Sequence, residues 1–342
     1  MKVNDTIYSA RKEYILSTEI PFKSCHASNV AVLPDGSIFS VWFAGSKEGA
    51  DDVKIWGAKR RGGVWSSPQV ITQDEEIPHW NPVLFVEQDG TVILFYKKGR
   101  EIASWKTWIT ESKDNCENWS NPKELVPNDF GGRGPVRNKV IQLSNNRWLA
   151  PASAENGEWR CFADCSDDNG TTWHKSNEIF ADLKDKNTVS PEFKSIPVSE
   201  QSYSGRGVIQ PTLWESEAGK VHMLMRSSEG FIYRSDSQDY GSTWCEGYKT
   251  VLPNNNSGID LVKIPDGRIF LVYNPVGVNW GPRYPLELAV SDDNARTWRN
   301  ILTLEQEPGE YSYPAVICHD DSLLITYTYK RQNIAFWKVD IK

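Results

Sequence analysis

The chain has 342 residues, 39% of them hydrophobic, with 38 Lys and Arg against 45 Asp and Glu for a formal net charge of −7. This is a globular composition with ample material for a core, which excludes a disordered chain, collagen and a disulfide scaffold. The acidic balance lacks the basic footprint that phosphate backbones select, and no apolar run approaches the roughly 20 residues of a membrane helix, so neither nucleic acid nor a membrane is expected as a partner. Met1 to Ser9 shows no basic segment leading into an apolar one, and the chain reads as soluble and cytoplasmic. The six cysteines show no paired CxxC spacing and read as reduced, structural thiols; no metal or organic cofactor is expected.

Taken in chain order, the sequence repeats one phrase: a short apolar run, a polar turn and a second apolar run. It occurs at Asn29–Trp42, Asn81–Tyr96, Asn138–Ala152, Gln210–Met225, Ile259–Tyr273 and Tyr313–Tyr329. Alternating residues around Asp-Gly-type turns predict antiparallel hairpins. A second phrase follows most of the first. It is SDDNGTTW at Ser166–Trp173 and SQDYGSTW at Ser237–Trp244, with SDDNARTW at Ser291–Trp298 and weaker copies at Ser112–Trp119 and Ala58–Trp65. Asp and Ser oxygens accept backbone N–H groups, Gly supplies positive φ and Trp packs beneath, so this motif is a turn former rather than a catalyst.

Successive Trp positions differ by 54, 54, 71 and 54 residues. Asn187–Arg206 lies in the long interval and reads as an inserted polar loop. Six repeats of about 57 residues predict an all-β, six-bladed propeller of four-stranded antiparallel blades, one domain over residues 1–342. The last repeat has only three strand-like runs, the third being Asn333–Val339, so Ile7–Leu16 is expected to supply its outer strand and close the ring.

In such a blade the start of the first strand and the turn between the second and third strands share one face. The starts carry His26, Asn81, Arg137, Lys139, Gln210, Asp260, Tyr311 and Tyr313; the turns carry Glu48, Asp51, Arg226 and the segment leading to Arg283. His26, Arg137, Lys139, Arg226 and Arg283 would make a cationic funnel in an acidic protein, which suits an anionic ligand. Trp80, Trp105 and Trp280 could offer stacking faces to a ligand.

The repeated SxDxGxTW turns resemble the Asp boxes of the sialidase (neuraminidase) superfamily of BNR-repeat propellers, over nearly the whole chain. The resemblance implies an exo-glycosidase whose partner is an oligosaccharide with a terminal acidic sugar. It implies Arg226 and Arg283 as two of three carboxylate-binding arginines and Tyr311-Ser312 as the nucleophilic Tyr-Ser. His26-Ala27-Ser28 stands where the family has Arg-Ile-Pro, and Gln210 stands at the position of the activating Glu. Glu48 is the acid nearest the family's acid/base position, with Asp51 beside it. Two other readings fit the same residues: a lyase or unusual glycosidase on uronate glycans with His26 as base and Tyr311 or Tyr313 as acid, and a carbohydrate-binding propeller without catalysis.

Overall fold

The computed structural model describes residues 6–17, 20–72, 76–130, 132–183 and 204–342. Most of the expected loop Asn187–Arg206 lies outside them. Six antiparallel sheets form the blades of an all-β propeller. Their inner strands are Ser24–Val32, His79–Val86, Ile141–Gln142, Val208–Glu217, Asp260–Lys263 and Tyr311–His319. The N-terminal strand Ile7–Tyr14 pairs antiparallel with Asn333–Ile341, the third strand of the sixth blade, and completes that sheet as expected.

The core lies between the blades. Val316, Leu323, Ile325 and Tyr327 of the sixth blade pack against Phe270, Val272 and Leu288 of the fifth; Phe39, Val41 and Ile55 of the first meet Leu84, Leu94 and Tyr96 of the second. Alternation along each strand presents apolar residues to both neighbouring blades.

The Asp boxes are built from the contacts their residues suggest. In the third blade the Asp168 carboxylate accepts the Thr172 N–H at 2.8 Å and the Ser166 hydroxyl at 2.9 Å, while Trp173 Nε1 donates to the Gly170 carbonyl at 3.0 Å. Asp239 and Asp293 repeat the arrangement with Thr243 and Thr297. The weak copy at Ala58–Trp65 has no such Asp. It is a tight hairpin in which Val64 and Trp65 pair back onto Arg61 and Arg60.

The opposite face is shaped by a repeated bulge. The inner-strand register shifts between His26 and Asn29, Trp80 and Val83, Ile209 and Thr212, and Ser312 and Ala315. At each shift one residue has positive φ: Ala27 at 55°, Asn81 at 44°, Gln210 at 51° and Tyr313 at 53°. A non-glycine residue in this region is strained, and a bulge re-aims its side chain. Neighbouring blades hold the strain: Thr328 Oγ1 accepts from Ala27 N at 3.1 Å, and Ser153 Oγ from Gln210 N at 3.2 Å.

Candidate active site

The four bulges surround a recess at the mouth of the channel, where the tyrosine of the sixth-blade bulge is central. The rings of Tyr313 and His26 lie 4.2 Å apart, and the guanidinium carbons of Arg137, Arg226 and Arg283 lie 5.3, 5.7 and 5.6 Å from the Tyr313 ring centroid. Arg226 Nη1 donates to the phenolic oxygen at 2.8 Å and to Gln210 Oε1 at 2.9 Å; its Nε donates to Asn256 Oδ1 at 3.0 Å. His26, Glu48, Asn81, Gln210, Arg226 and Tyr313 line the recess, with Trp80, Trp105 and Trp280 among its walls.

The charges differ in how they are neutralised. Arg283 pairs with Glu310 at 2.6 Å. Arg331, in the turn between the second and third strands of the sixth blade, joins Glu310 to Glu48. Burial would raise the Glu310 carboxyl, but Arg283 and Arg331 outweigh it and hold it below its ordinary value. Arg226 contacts only neutral groups, and the guanidinium of Arg137 has one partner, Asn138 Oδ1 at 2.9 Å. Arg137 Nε and Nη2 are buried without a hydrogen bond, and burial lowers its guanidinium to about 10. Asp260 acts on Arg137 and Glu155 on Arg226 only through space; buried charges are normally paired, and neither guanidinium has a hydrogen-bonded carboxylate.

Burial favours the neutral form of two groups. Burial keeps the His26 imidazole far below its usual range, with Arg331, Arg283, Arg137 and Arg226 acting in the same direction. Glu155 follows the second strand of the third blade and also lines the recess; burial pushes its carboxyl up to about 7, against the opposing pull of Arg226. It is therefore largely protonated in mildly acidic solution and ionises near neutrality.

Four of the expected residues stand apart. Tyr311, expected as the nucleophile, is 1% exposed in the core of the sixth blade against Tyr329, and burial pushes its phenol up to about 12. Asp51 is exposed and pairs with Arg100 at 3.0 Å, outside the recess. Lys139 and Asp260 bind each other at 2.7 Å, and Asp260 also accepts from Thr212 Oγ1 and Val316 N, so the pair ties the third blade to the fourth, fifth and sixth. Glu155 and Trp159, which also line the recess, and Arg331 are not singled out by the sequence. All three come from turns between second and third strands, the element that also supplies Glu48, and that topological equivalence was the available signal.

The fold and its recess define a six-bladed β-propeller with a cationic, tryptophan-walled site on the face opposite the Asp boxes. The profile of the BNR repeat-like domain matches residues 36–325, and the chain belongs to this family. No curated protein matches it. Among solved structures, a protein of unknown function from Dyadobacter fermentans superposes with a TM-score of 0.75 at 16% identity, over 98% of this chain and all of the other. The Trypanosoma rangeli sialidase gives 0.73 at 14% identity over 97% of this chain and 60% of its own. The NanB sialidase of Streptococcus pneumoniae gives 0.72 at 13% over 96% and 70%. At these identities the likeness is one of fold.

Proposed function

We propose that the recess is the active site of a glycoside hydrolase that removes a terminal acidic sugar, most simply a sialic acid. The carrying observation is the placing of two buried guanidinium groups that have no hydrogen-bonded carboxylate, Arg137 and Arg226, beside an acid, Glu155, whose carboxyl burial pushes up to about 7. A sugar carboxylate supplies that partner, and the planar fork of Arg226 suits it. The sialidase names of two structural neighbours are consistent with this substrate class.

Gln210 beside Tyr313 cannot act as a base, which favours attack by water over a tyrosyl intermediate. Glu155 gives its proton to the glycosidic oxygen as the bond from that oxygen to the anomeric carbon breaks and its electron pair passes to the leaving group. Water adds to the anomeric carbon and its proton passes to Glu48, whose carboxylate Arg331 orients. One protonated and one ionised carboxyl group is the division of labour that such hydrolysis requires. Tyr313, fixed by Arg226, forms the floor against the sugar ring. A lyase would instead need His26 to take a proton, and four nearby guanidinium groups oppose that charge.

The test is to incubate the purified protein with sialylated oligosaccharides, assayed for free sialic acid, and with uronate oligosaccharides, watched for the ultraviolet absorbance of an unsaturated product. Release of sialic acid that falls by about 10²-fold or more in Glu155→Gln is the expected result. Unsaturated uronate would transfer the recess to lyase chemistry, and binding without turnover in either panel would make it a carbohydrate-binding site.

A further inference from the structure

The fourth blade carries a second constellation on the Asp-box face, at the far end of its inner strand from the recess. Three adjacent strands, Val208–Glu217, Lys220–Ser227 and Phe231–Ser237, place Trp214 opposite His222 and His222 opposite Asp236. The register slips between Glu215 and Glu217, a bulge that falls on Ser216. Ser216 Oγ and His222 Nε2 are 2.7 Å apart. His222 Nδ1 is hydrogen-bonded to the Asp236 carboxylate, which Arg234 Nε at 2.9 Å and the Tyr248 hydroxyl at 2.6 Å also hold. The imidazole is stacked on Trp214, with centroids 4.9 Å apart and planes at 27°.

We infer that Ser216, His222 and Asp236 form a hydrolytic Ser–His–Asp triad, distinct from the recess, that acts on small carboxylic esters. Such a triad is recognised by geometry and roles rather than by sequence position. Arg234 Nη2, which can only donate, lies 3.0 Å from the same Nδ1; the triad requires the tautomer in which Nδ1 donates to the Asp236 carboxylate and Nε2 accepts from the serine hydroxyl. The stacked tryptophan and two strand pairings fix the ring, and Ser216 itself is half-buried rather than enclosed. Asn294 Nδ2 lies 3.3 Å from His222 Nε2, and Lys263 Nζ donates to the Ser216 carbonyl at 3.3 Å. Both donors stand beside the Ser216–His222 pair, one on the ring nitrogen and one on the Ser216 carbonyl.

In the acyl-transfer step Ser216 Oγ bonds to the ester carbonyl carbon while its proton passes to His222 Nε2. The tetrahedral adduct collapses, the carbon–alkoxy bond breaks and the alcohol leaves with the proton from His222. Water then attacks the acyl-serine through the same base, releasing the carboxylic acid and restoring the serine.

The experiment treats the full chain with a fluorophosphonate probe, maps the modified peptide by mass spectrometry, and follows p-nitrophenyl acetate hydrolysis in parallel. The expected result is phosphonylation of Ser216, absent in Ser216→Ala, with ester turnover reduced about 10³-fold or more in Asp236→Asn. The same polar groups could serve only to fasten the blades, since Arg234 Nη1 donates to the Asn294 carbonyl at 2.9 Å and Trp214 Nε1 to Asn294 Oδ1 at 2.7 Å. A purely structural role predicts an unmodified Ser216 and ester hydrolysis that Ser216→Ala leaves unchanged, and either finding overturns the inference. Peptide mapping on the unaltered chain decides the matter even if a variant fails to fold.

Discussion

At the scale of single residues, the recess makes Glu155 and Tyr313 the side chains to test. An unfolded Glu titrates near 4.5 and the folded Glu155 near 7, so between these values the native chain holds the extra proton. Stability must then fall as pH rises from about 4.5 through 7. Glu155→Gln removes that dependence, and its melting temperature relative to the parent should rise between pH 5 and pH 8. In the parent, turnover that needs the Glu155 proton should decline above about pH 7, a limb that a pH–rate profile reads directly. Tyr313 and Tyr311 give a paired prediction. Tyr313→Phe deletes the oxygen that Arg226 holds and should cut turnover at least about 10-fold. In Tyr311→Phe turnover should stay within about twofold, because that ring lies in the core away from the recess. Equal effects in the two variants would contradict the assignment of Tyr313 to the site. The family resemblance points to Tyr311 through its Tyr-Ser pair, and strict alternation would put Tyr311 and Tyr313 on one face. The bulge at Ser312–Ala315 breaks the alternation, and no residue type announces it.

At the scale of elements, the two faces of each blade were unequally legible. The Asp-box turns close through hydrogen bonds within a few residues, so Ser, Asp, Gly, Thr and Trp at fixed offsets specify them locally. Gly241 shows how tight that specification is. Its φ is 79°, and an added Cβ would lie 2.8 Å from Leu149 of the third blade. Gly241→Ala should therefore lower unfolding free energy by about 2 kcal/mol, combining left-handed strain with overpacking, as measured by urea denaturation. The corresponding residue of the fifth blade is Ala295 at φ 64°, so an alanine is tolerated there where the space allows it. A variant as stable as the parent would show that Leu149 gives way without cost. The recess face is different: its bulges are held by partners far away in sequence, such as Thr328 for Ala27, 301 residues apart. Glu155 likewise sits in an unremarkable turn, and only the closed ring brings it beside Arg226. The list of strand starts could be read from the repeat, but the groups that tune their charge could not.

At the scale of the whole molecule, the ring is closed by pairing its two chain ends. The sixth blade takes its outer strand from Ile7–Tyr14, and the closure extends into both neighbouring blades. Glu13 accepts two hydrogen bonds from Arg60 of the first blade, at 2.9 and 2.8 Å, and Lys12 pairs with Glu305 of the fifth. Asn333 binds the Leu16 backbone in both directions at 3.0 Å. Arg60 lowers the Glu13 carboxyl, with burial opposing. A carboxyl with a lowered folded value stabilises at pH above its unfolded value near 4.5, and loses that contribution as pH falls through the folded value. Glu13→Gln should therefore lower the melting temperature at pH 7, with the gap to the parent narrowing towards pH 3. Removing residues 1–16 is the more severe test. It leaves Asn333–Ile341 as an unpaired edge and uncovers the side of the sixth blade on which Ile7 packs, and bare edges of this kind pair with other chains. The truncated chain should melt at lower temperature and associate with rising concentration in light scattering. Because Arg331 and Tyr313 stand on the same blade, it should also lose turnover out of proportion to its remaining folded fraction. A truncated chain that stays monomeric, with the parent's melting temperature and turnover, would mean that the five other blades and the inner strands of the sixth hold the recess without the closing strand.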